Sequence, residues 1–463
     1  MDQVLDQSGI EVALEDIAVK KSEIDHSDNL KILNTQKIRR QVSYAIRCNI
    51  ARCLSQESYR SFSIHLADLI LLQKFCRYNT PFAPKNTPSK SQIERYANMF
   101  GEKTIRSVTD LLLYNAVDIS SALHGIDGLE SAIDTEVWLL DSTCAKLDIH
   151  FPTDWVLLKD CVKSIIQSII QIRKHGINHR IGNPEAFLSN INKLSMQMTN
   201  DTKRSGKKKN RKTTFRKMRK VLERIIKHGE RYLDKLENEW EATDLTKAEK
   251  DRIVRKLKHT IEISPKVIFI AYERVVGERQ VDVSEKILSI HEDHAQTYSR
   301  GKSGAQFEYG LQLSLGESID GLITYWELVD GRPKNDTRHI DQVLKRRSEL
   351  RECVQPITIV GDRGYSANAV ENKLKKNSIE SCICPKNPHD LQTRLGDHKF
   401  ASMLKRRAQT EARIGILKNN FMGKKLVSKG YDNQCNQVAW AVLTHNIWVV
   451  ARLPFKDLLE AAS

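Results

Sequence analysis

Three carboxylates and two cations are spaced in this chain as phosphodiester chemistry would need them. Asp141 closes the apolar run of VWLLDST, and Asp362 closes that of TIVGDRGY. An aspartate at the carboxyl end of an apolar strand sits where α/β sheets place their ligands. Either one alone reads first as a helix cap or turn residue. The third acid, Glu411, lies in KRRAQTEARIGILKNN, four residues after Arg407 and seven before Lys418. Helical periodicity puts those three on one face, as it would for an ordinary ion pair on a solvated helix. Cleaving a phosphodiester requires an activated water or hydroxyl in line with the leaving oxygen, and compensation of charge on the phosphorus oxygens. Two Mg²⁺ ions about 3.5–4 Å apart, with Mn²⁺ as the expected substitute, provide both, and hard cations demand carboxylate oxygens. Arg407 and Lys418 would then grip backbone phosphates, one as a bidentate donor and the other as a point charge.

The elements that must carry these residues can be read from periodicity. After residue 283, Glu285–Ile290, Phe307–Leu315 and Leu322–Val329 read as strands, followed by a helix over Thr337–Arg351 and the strand ITIVGD. A helix over Ala367–Lys376, the strand IESCICP and a helix over Ala401–Asn419 complete the run. With VWLLDST at 137–143, this alternation indicates an α/β domain with a mixed sheet flanked by helices, split by what lies between. That intervening stretch is helical from Trp155 to Lys258, with Leu158, Val162, Ile165, Ile169 and Ile172 at three- and four-residue steps. Residues 264–283 fit helix or strand. Earlier, Ile93, Tyr96, Ala97 and Phe100 precede Gly101, after which Ile105, Val108, Leu111 and Leu112 form a second apolar face. Such a pair suits a DNA-reading helix–turn–helix, or any helical hairpin. Residues 1–36, polar and rather acidic, are expected to form a mobile or loosely docked tail.

Charge names a partner class. The 463 residues carry 74 Lys and Arg against 58 Asp and Glu, a net +16. Twelve of those charges lie in KRSGKKKNRKTTFRKMRKVLERIIK at 203–227, where 13 cations face one acid. So basic a block favours a polyanion, most often nucleic acid, over a merely solvated run or a localisation signal. Lys207, Lys208, Lys209, Arg211, Lys212, Arg216 and Lys217 are the candidate phosphate contacts. No apolar run approaches the ~20 residues of a spanning helix, and MDQVLDQSG lacks the pattern of a signal peptide. A soluble protein that stays in the cell that made it is expected. Nine scattered cysteines form no disulfide framework. The one close pair, Cys382 and Cys384, has no second Cys/His pair at finger-like spacing, so zinc is set aside.

At the acids the chain resembles the DDE transposases of bacterial insertion sequences, the ISNCY-like group in particular. The stretches concerned are DSTCAKLDIHFPTDWVLL (141–158), KILSIHEDHAQTYSRGKSGAQFEYGLQLSLGE (286–317), ITIVGDRGYSAN (357–368) and the R-x3-E-x6-K pattern of Arg407, Glu411 and Lys418. The resemblance spans residues 137–450 in scattered blocks. It implies an RNase H-like core with Asp141, Asp362 and Glu411 as the metal-binding triad. It further implies hydrolytic nicking of element ends, then joining of the freed 3′-hydroxyl to target DNA. Double-stranded DNA as element ends and as target is the implied partner. A homodimer or larger assembly for synapsis, and a place at the bacterial nucleoid, are implied too. The family's Y-x2-R-x3-E-x6-K signature has a tyrosine where this chain has Leu404. Asp148, Asp154 and Asp160 compete for the first position, and Asp336 and Asp341 for the second. Asp141 and Asp362 are preferred because each directly ends an apolar strand.

The expected map is thus an amino-terminal segment (1–56), a helical region with the possible DNA reader (57–130), the first part of the catalytic core (131–155), a helical basic insertion (156–283) and the rest of the core (284–463). Two alternatives remain beside a strand-transferring transposase: an inactive or repurposed DNA-binding protein, and an RNase H-like nuclease that cuts without joining.

Overall fold

A computed structural model describes residues 1–25, 31–80, 83–84, 87–129, 131–203, 208–282, 285–299, 307–332 and 334–455. The chain divides into two compact units, Met1–Asp148 with Gln296–Ser463, and Ile149–Ala295.

The first unit is built on a mixed six-stranded sheet. The small ribbon β1 (Asn79–Thr80) and β2 (Ala83–Pro84) stands apart from it. The sheet comprises β3 (Val137–Lys146), β4 (Gln296–Ser299), β5 (Phe307–Glu317), β6 (Ile323–Leu328), β7 (Thr358–Gly361) and β8 (Glu380–Ile383). β3 is central. It pairs antiparallel with β5 from Leu139↔Glu317 to Lys146↔Gly310, and parallel with β7 from Val137↔Thr358 to Leu139↔Val360. β5 carries both β4 and β6 antiparallel, and β7 carries β8 parallel. The ladder can close at Gly310 only because no side chain is there: a Cβ would run into the Ala145 carbonyl of β3.

Most expected strands are present, but the apolar alternation at 285–290 is not one. Ile290 is buried in the core of the helical unit with Ile287 packed beside it, so these residues plug a helix bundle. The strand that enters the sheet there is β4. Residues 264–275, which fitted either state, are helical.

Among the described residues, seven α-helices precede β3: α1 (Asp2–Gln7), α2 (Ile10–Asp25), α3 (Lys31–Ser55), α4 (Tyr59–Asp68), α5 (Ile70–Phe75), α6 (Lys90–Ala97) and α7 (Glu102–Val117). The expectation of a loosely docked tail over 1–36 is corrected at its start. Val4, Leu5, Ile10 and Leu14 are fully buried. The acidity that looked solvated is countercharge: Asp2 and Asp6 pair with Arg47, whose side chain is wholly buried. An isolated buried guanidinium would cost several kcal/mol.

The second unit holds α8 (Asp154–Lys174), α9 (Pro184–Lys203), α10 (Lys208–Glu239) and α11 (Lys247–Val275) around one core. Every member of the Leu158–Ile172 stripe is 0% exposed. Gly229 permits the closest approach, since a Cβ there would lie 2.9 Å from Ile165 Cγ2 on α8 and 3.2 Å from Ile261 Cδ1 on α11. Thr246 and Glu249 start α11 with a reciprocal capping box.

The first unit is completed by α12 (Asp336–Glu349), α13 (Asn368–Lys376), α14 (Pro388–Arg394), α15 (His398–Leu417) and α16 (Tyr431–Arg452). α16 is apolar on nearly all sides, so it carries little periodic signal in the sequence. It is a core helix, and its Asn446 amide donates to and accepts from the Ile323 backbone at 2.9 Å, covering one end of β6. Among the described residues no helix is long and apolar enough to cross a membrane.

Candidate active site

The β3–β7 register decides where the acids meet. Continuing the parallel pairing of Val137 with Thr358 and Leu139 with Val360 by two residues sets Asp141 opposite Asp362. Asp362 follows directly on β7. Asp141, expected to end its strand, instead lies within β3, which runs on to Lys146 paired with β5 alone. It marks the end of the apolar half of the strand, two residues past the last pair of its parallel ladder.

α15 supplies the facing side. Val137 and Leu139 of β3, Val360 of β7 and Cys382 of β8 form an apolar cluster with Phe400, Met403 and Leu404. Stepping along α15 from Leu404 brings Arg407 and Glu411 over the end of this cluster, where β3 reaches Asp141. Leu404 is therefore a core contact. The Cys382 thiol belongs to the same apolar face.

The expected cations Arg407 and Lys418 are turned inward. Arg407 Nη2 lies 3.6 Å from Asp141 Oδ2 and 3.5 Å from Asp362 Oδ2, and its side chain is 19% exposed. Lys418, in a turn of π-helix after α15, donates to Thr143 Oγ1 at 3.2 Å and to the Cys144 carbonyl at 2.7 Å. Both hold the site together, a role sequence reading had given to outside phosphates.

Each aspartate is anchored through one oxygen. Asp141 Oδ1 accepts from the Ser142 N–H at 2.8 Å, and Asp362 Oδ1 accepts from Gly364 N–H at 2.8 Å, capping a short 3₁₀ turn. The turn-forming role and the site role thus coexist on Asp362, because its other oxygen remains directed at Arg407. The Asp141 carboxyl is pushed up to about 6, chiefly by burial and also by nearby Asp362 and Glu411, against the Ser142 bond and Arg407. Negative charge here is under-compensated.

A fourth acid belongs to this place. Asp336, a weak rival when only strand ends were considered, opens α12 and accepts from Ser142 Oγ at 3.0 Å. Burial raises its pKa, and Asp362 raises it further. It ends no strand; the signal for it was a first-turn position whose helix follows the sheet's hairpin. Asp341 points elsewhere, to Lys373. Asp148 pairs with Lys425, 3.2 Å away, and Asp154 with Arg274, 2.8 Å away.

All four acids are carboxylates, the ligand type of hard divalent cations, and the guanidinium between Asp141 and Asp362 marks a position that a cation stabilises. In donor chemistry and charge the residues fit Mg²⁺ or Mn²⁺. Among the described residues, no group of three or more His, Cys, Asp or Glu is gathered closely enough to enclose an ion.

Within the second unit, α10 presents the basic stretch. Phe215, Met218, Leu222 and Ile225 are buried, while Arg216, Lys217, Arg219, Lys220, Arg224 and Lys227 are exposed. Lys212 is instead paired with Glu278 at 3.0 Å, and Arg211 is half-buried. Lys207 lies outside the described residues, as do the side chains of Lys208 and Lys209.

α6 and α7 form the expected hairpin about Gly101, but α7 is packed on most sides. Ile105, Val108, Leu112 and Ala116 are buried, Arg106 lies 3.9 Å over the Trp326 ring, and Asp110 pairs with Arg346. Of its residues only Lys103 and Ser107 are exposed. That leaves too narrow a face for a recognition helix, which presents several side chains to a groove.

Residues 277–447, from before β4 into α16, match the family model described as Transposase DDE domain. Asp336, Asp362, Arg407, Glu411 and Lys418 fall inside the match; Asp141 lies outside it and joins through strand register. Neither curated proteins nor solved structures gave a match. Residues 277–447 are thus similar to a transposase DDE domain.

Proposed function

Starting from that domain, we propose that the protein is a DNA transposase that cleaves the ends of a mobile element and joins the freed 3′-hydroxyls to target DNA. The observation that carries this reading is the convergence of Asp141 and Asp362 at one register of adjacent parallel strands, with Arg407 between them and Glu411 one turn further along α15. The mixed sheet, read with this acid set, is an RNase H-like core interrupted in sequence by residues 149–295. The finer ISNCY-like placement rests on the four motif stretches.

Asp141, Asp362 and Glu411 would hold the divalent ions. When bound, these ions supply an activated nucleophile and stabilise charge on the attacking and leaving oxygens. The chain's own residues prepare for this. Ser142 and Gly364 N–H groups fix one oxygen of each aspartate, which keeps the second directed inward. Arg407 offsets the mutual repulsion of the two carboxylates and can turn toward a phosphate once another cation takes that position. Lys418 ties the end of α15 to β3 and so sets the height of Glu411. The exposed face of α10 would bind the phosphate backbone irrespective of sequence. The site of action is the bacterial cytoplasm, with at least two copies bringing two ends together.

Purified protein incubated with labelled element ends, a target duplex and Mg²⁺ is expected to yield nicked ends and joined products. Binding without cleavage would support a DNA-binding protein instead, and cleavage without joining a nuclease. An Asp362→Ala variant that still cuts would remove the triad.

A further inference from the structure

The carboxyl group of Asp336 is not needed by the triad, yet three features are arranged around it. Its Oδ1 accepts from Ser142 Oγ, the residue whose own N–H holds Asp141. On its other side the chain has a glycine: a Cβ on Gly364 would come closer than 3.0 Å to both Asp336 Oδ2 and Asp362 Oδ1. The two carboxylates thus occupy one small space that any other residue at 364 would close. Beneath them, Tyr365 is 1% exposed and its hydroxyl has no hydrogen-bond partner among the described residues. After burial, Asp336 and Asp141 do most to raise its pKa, so this buried donor lies near the acids.

The ordinary explanation is that an aspartate in a first helical turn complements the helix dipole. It accounts for the residue type but not for the Ser142 bond, the clearance at Gly364 or the proximity of Asp362. Asp336 also forms no ion pair among the described residues, whereas Asp341, on the same helix, is paired with Lys373. Of the two neighbouring carboxylates only Asp362 has an ion-pair partner among the described residues, an Arg407 that it shares with Asp141. Carboxylates so crowded are costly unless a further cation joins them.

We propose that Asp336 is a fourth carboxylate of the divalent-cation site, presenting its Gly364-side oxygen beside Asp362, with Ser142 as the residue that orients it. This rests on the reading of Asp141, Asp362 and Glu411 as metal-binding acids.

The test is Mn²⁺ binding to the full chain, followed by electron paramagnetic resonance, for wild type, Asp336→Asn, Asp341→Asn, Ser142→Ala and Asp362→Asn. Asp336→Asn is expected to weaken binding about tenfold or more, the scale seen when metal-site partners are lost, and Ser142→Ala by less. Asp341→Asn is expected to bind as wild type. In EDTA, Asp336→Asn is expected to melt no lower than wild type, because one of two crowded carboxylates has been neutralised. Its melting temperature should then rise less with Mn²⁺. Loss in Asp362→Asn without loss in Asp336→Asn overturns the fourth carboxylate and leaves the triad standing. Unchanged binding in both overturns the reading beneath it. Asp336→Asn melting well below wild type in EDTA makes the residue structural and overturns the proposal.

Discussion

The acid-lined end of β3 and β7 and the basic face of α10 hold opposite surpluses of charge under opposite physical conditions. At the strands, Asp141 is largely buried and locked by register, a backbone N–H and an arginine, so its ionisation is perturbed. On α10, Arg216, Lys217, Arg219 and Lys220 extend into solvent from a helix whose apolar side alone is fixed. Under the proposed function, position matters closely for the first and little for the second. Charge that must act at one atom is held by packing, whereas charge that need only attract a polyanion is left mobile on its stems.

Substitutions should divide along that line. Asp362→Ala is expected to give the largest effect, a loss of cleavage of about 10²–10³-fold or more with DNA binding retained, measured in single-turnover assays. Equal losses of cleavage and binding would merge the two regions into one role. Next is the pH response of metal-free protein. With its folded-state pKa near 6 against an ordinary 3.8, Asp141 keeps its proton longer in the folded state. Its contribution is therefore fully present at pH values below the ordinary pKa and is lost as pH rises through about 6. Asp141→Asn should gain about 2 kcal/mol relative to wild type between pH 4 and 7 in denaturant melts. A flat difference would mean that the carboxyl is better compensated than the geometry indicates. Gly364→Ala should cost about 1–3 kcal/mol, since its methyl group overpacks two carboxylates. The smallest effect belongs to α10: Arg216→Gln should leave stability unchanged and weaken binding to all DNA sequences alike. It should reduce the slope of log affinity against log salt by up to about 0.9. An unchanged slope would place that face away from DNA.

What could be read from the chain beforehand follows the same division. Alternating runs such as FEYGLQLSLGE and the stripe from Leu158 to Ile172 announce their elements, because burial on one face leaves a period in the sequence. Asp362 was legible for the same reason: a short apolar strand stops at it. Residues 285–290 alternate equally well, but their apolar side chains fill a helical core, and only tertiary context distinguishes the two outcomes. Spacing placed Arg407 and Lys418 on one face with Glu411, yet did not give their direction, since helical periodicity gives a face and not what lies across from it. Asp336 was discounted because its part depends on Ser142, nearly two hundred residues away in sequence, and on the space left by Gly364.

The central position of β3 also has a consequence for synthesis. Val137–Leu140 emerges from the ribosome long before either of its strand partners, β5 at 307 and β7 at 358. At translation rates of ~5–20 residues per second, the roughly 160 residues separating β3 from β5 correspond to about 8–32 s. Throughout that interval both edges of a strongly apolar strand are unpaired, while residues 149–295 can consolidate around a core of their own. The first aspartate is thus made early and positioned late, so a truncated product would carry a hazardous sticky strand and no assembled acid cluster.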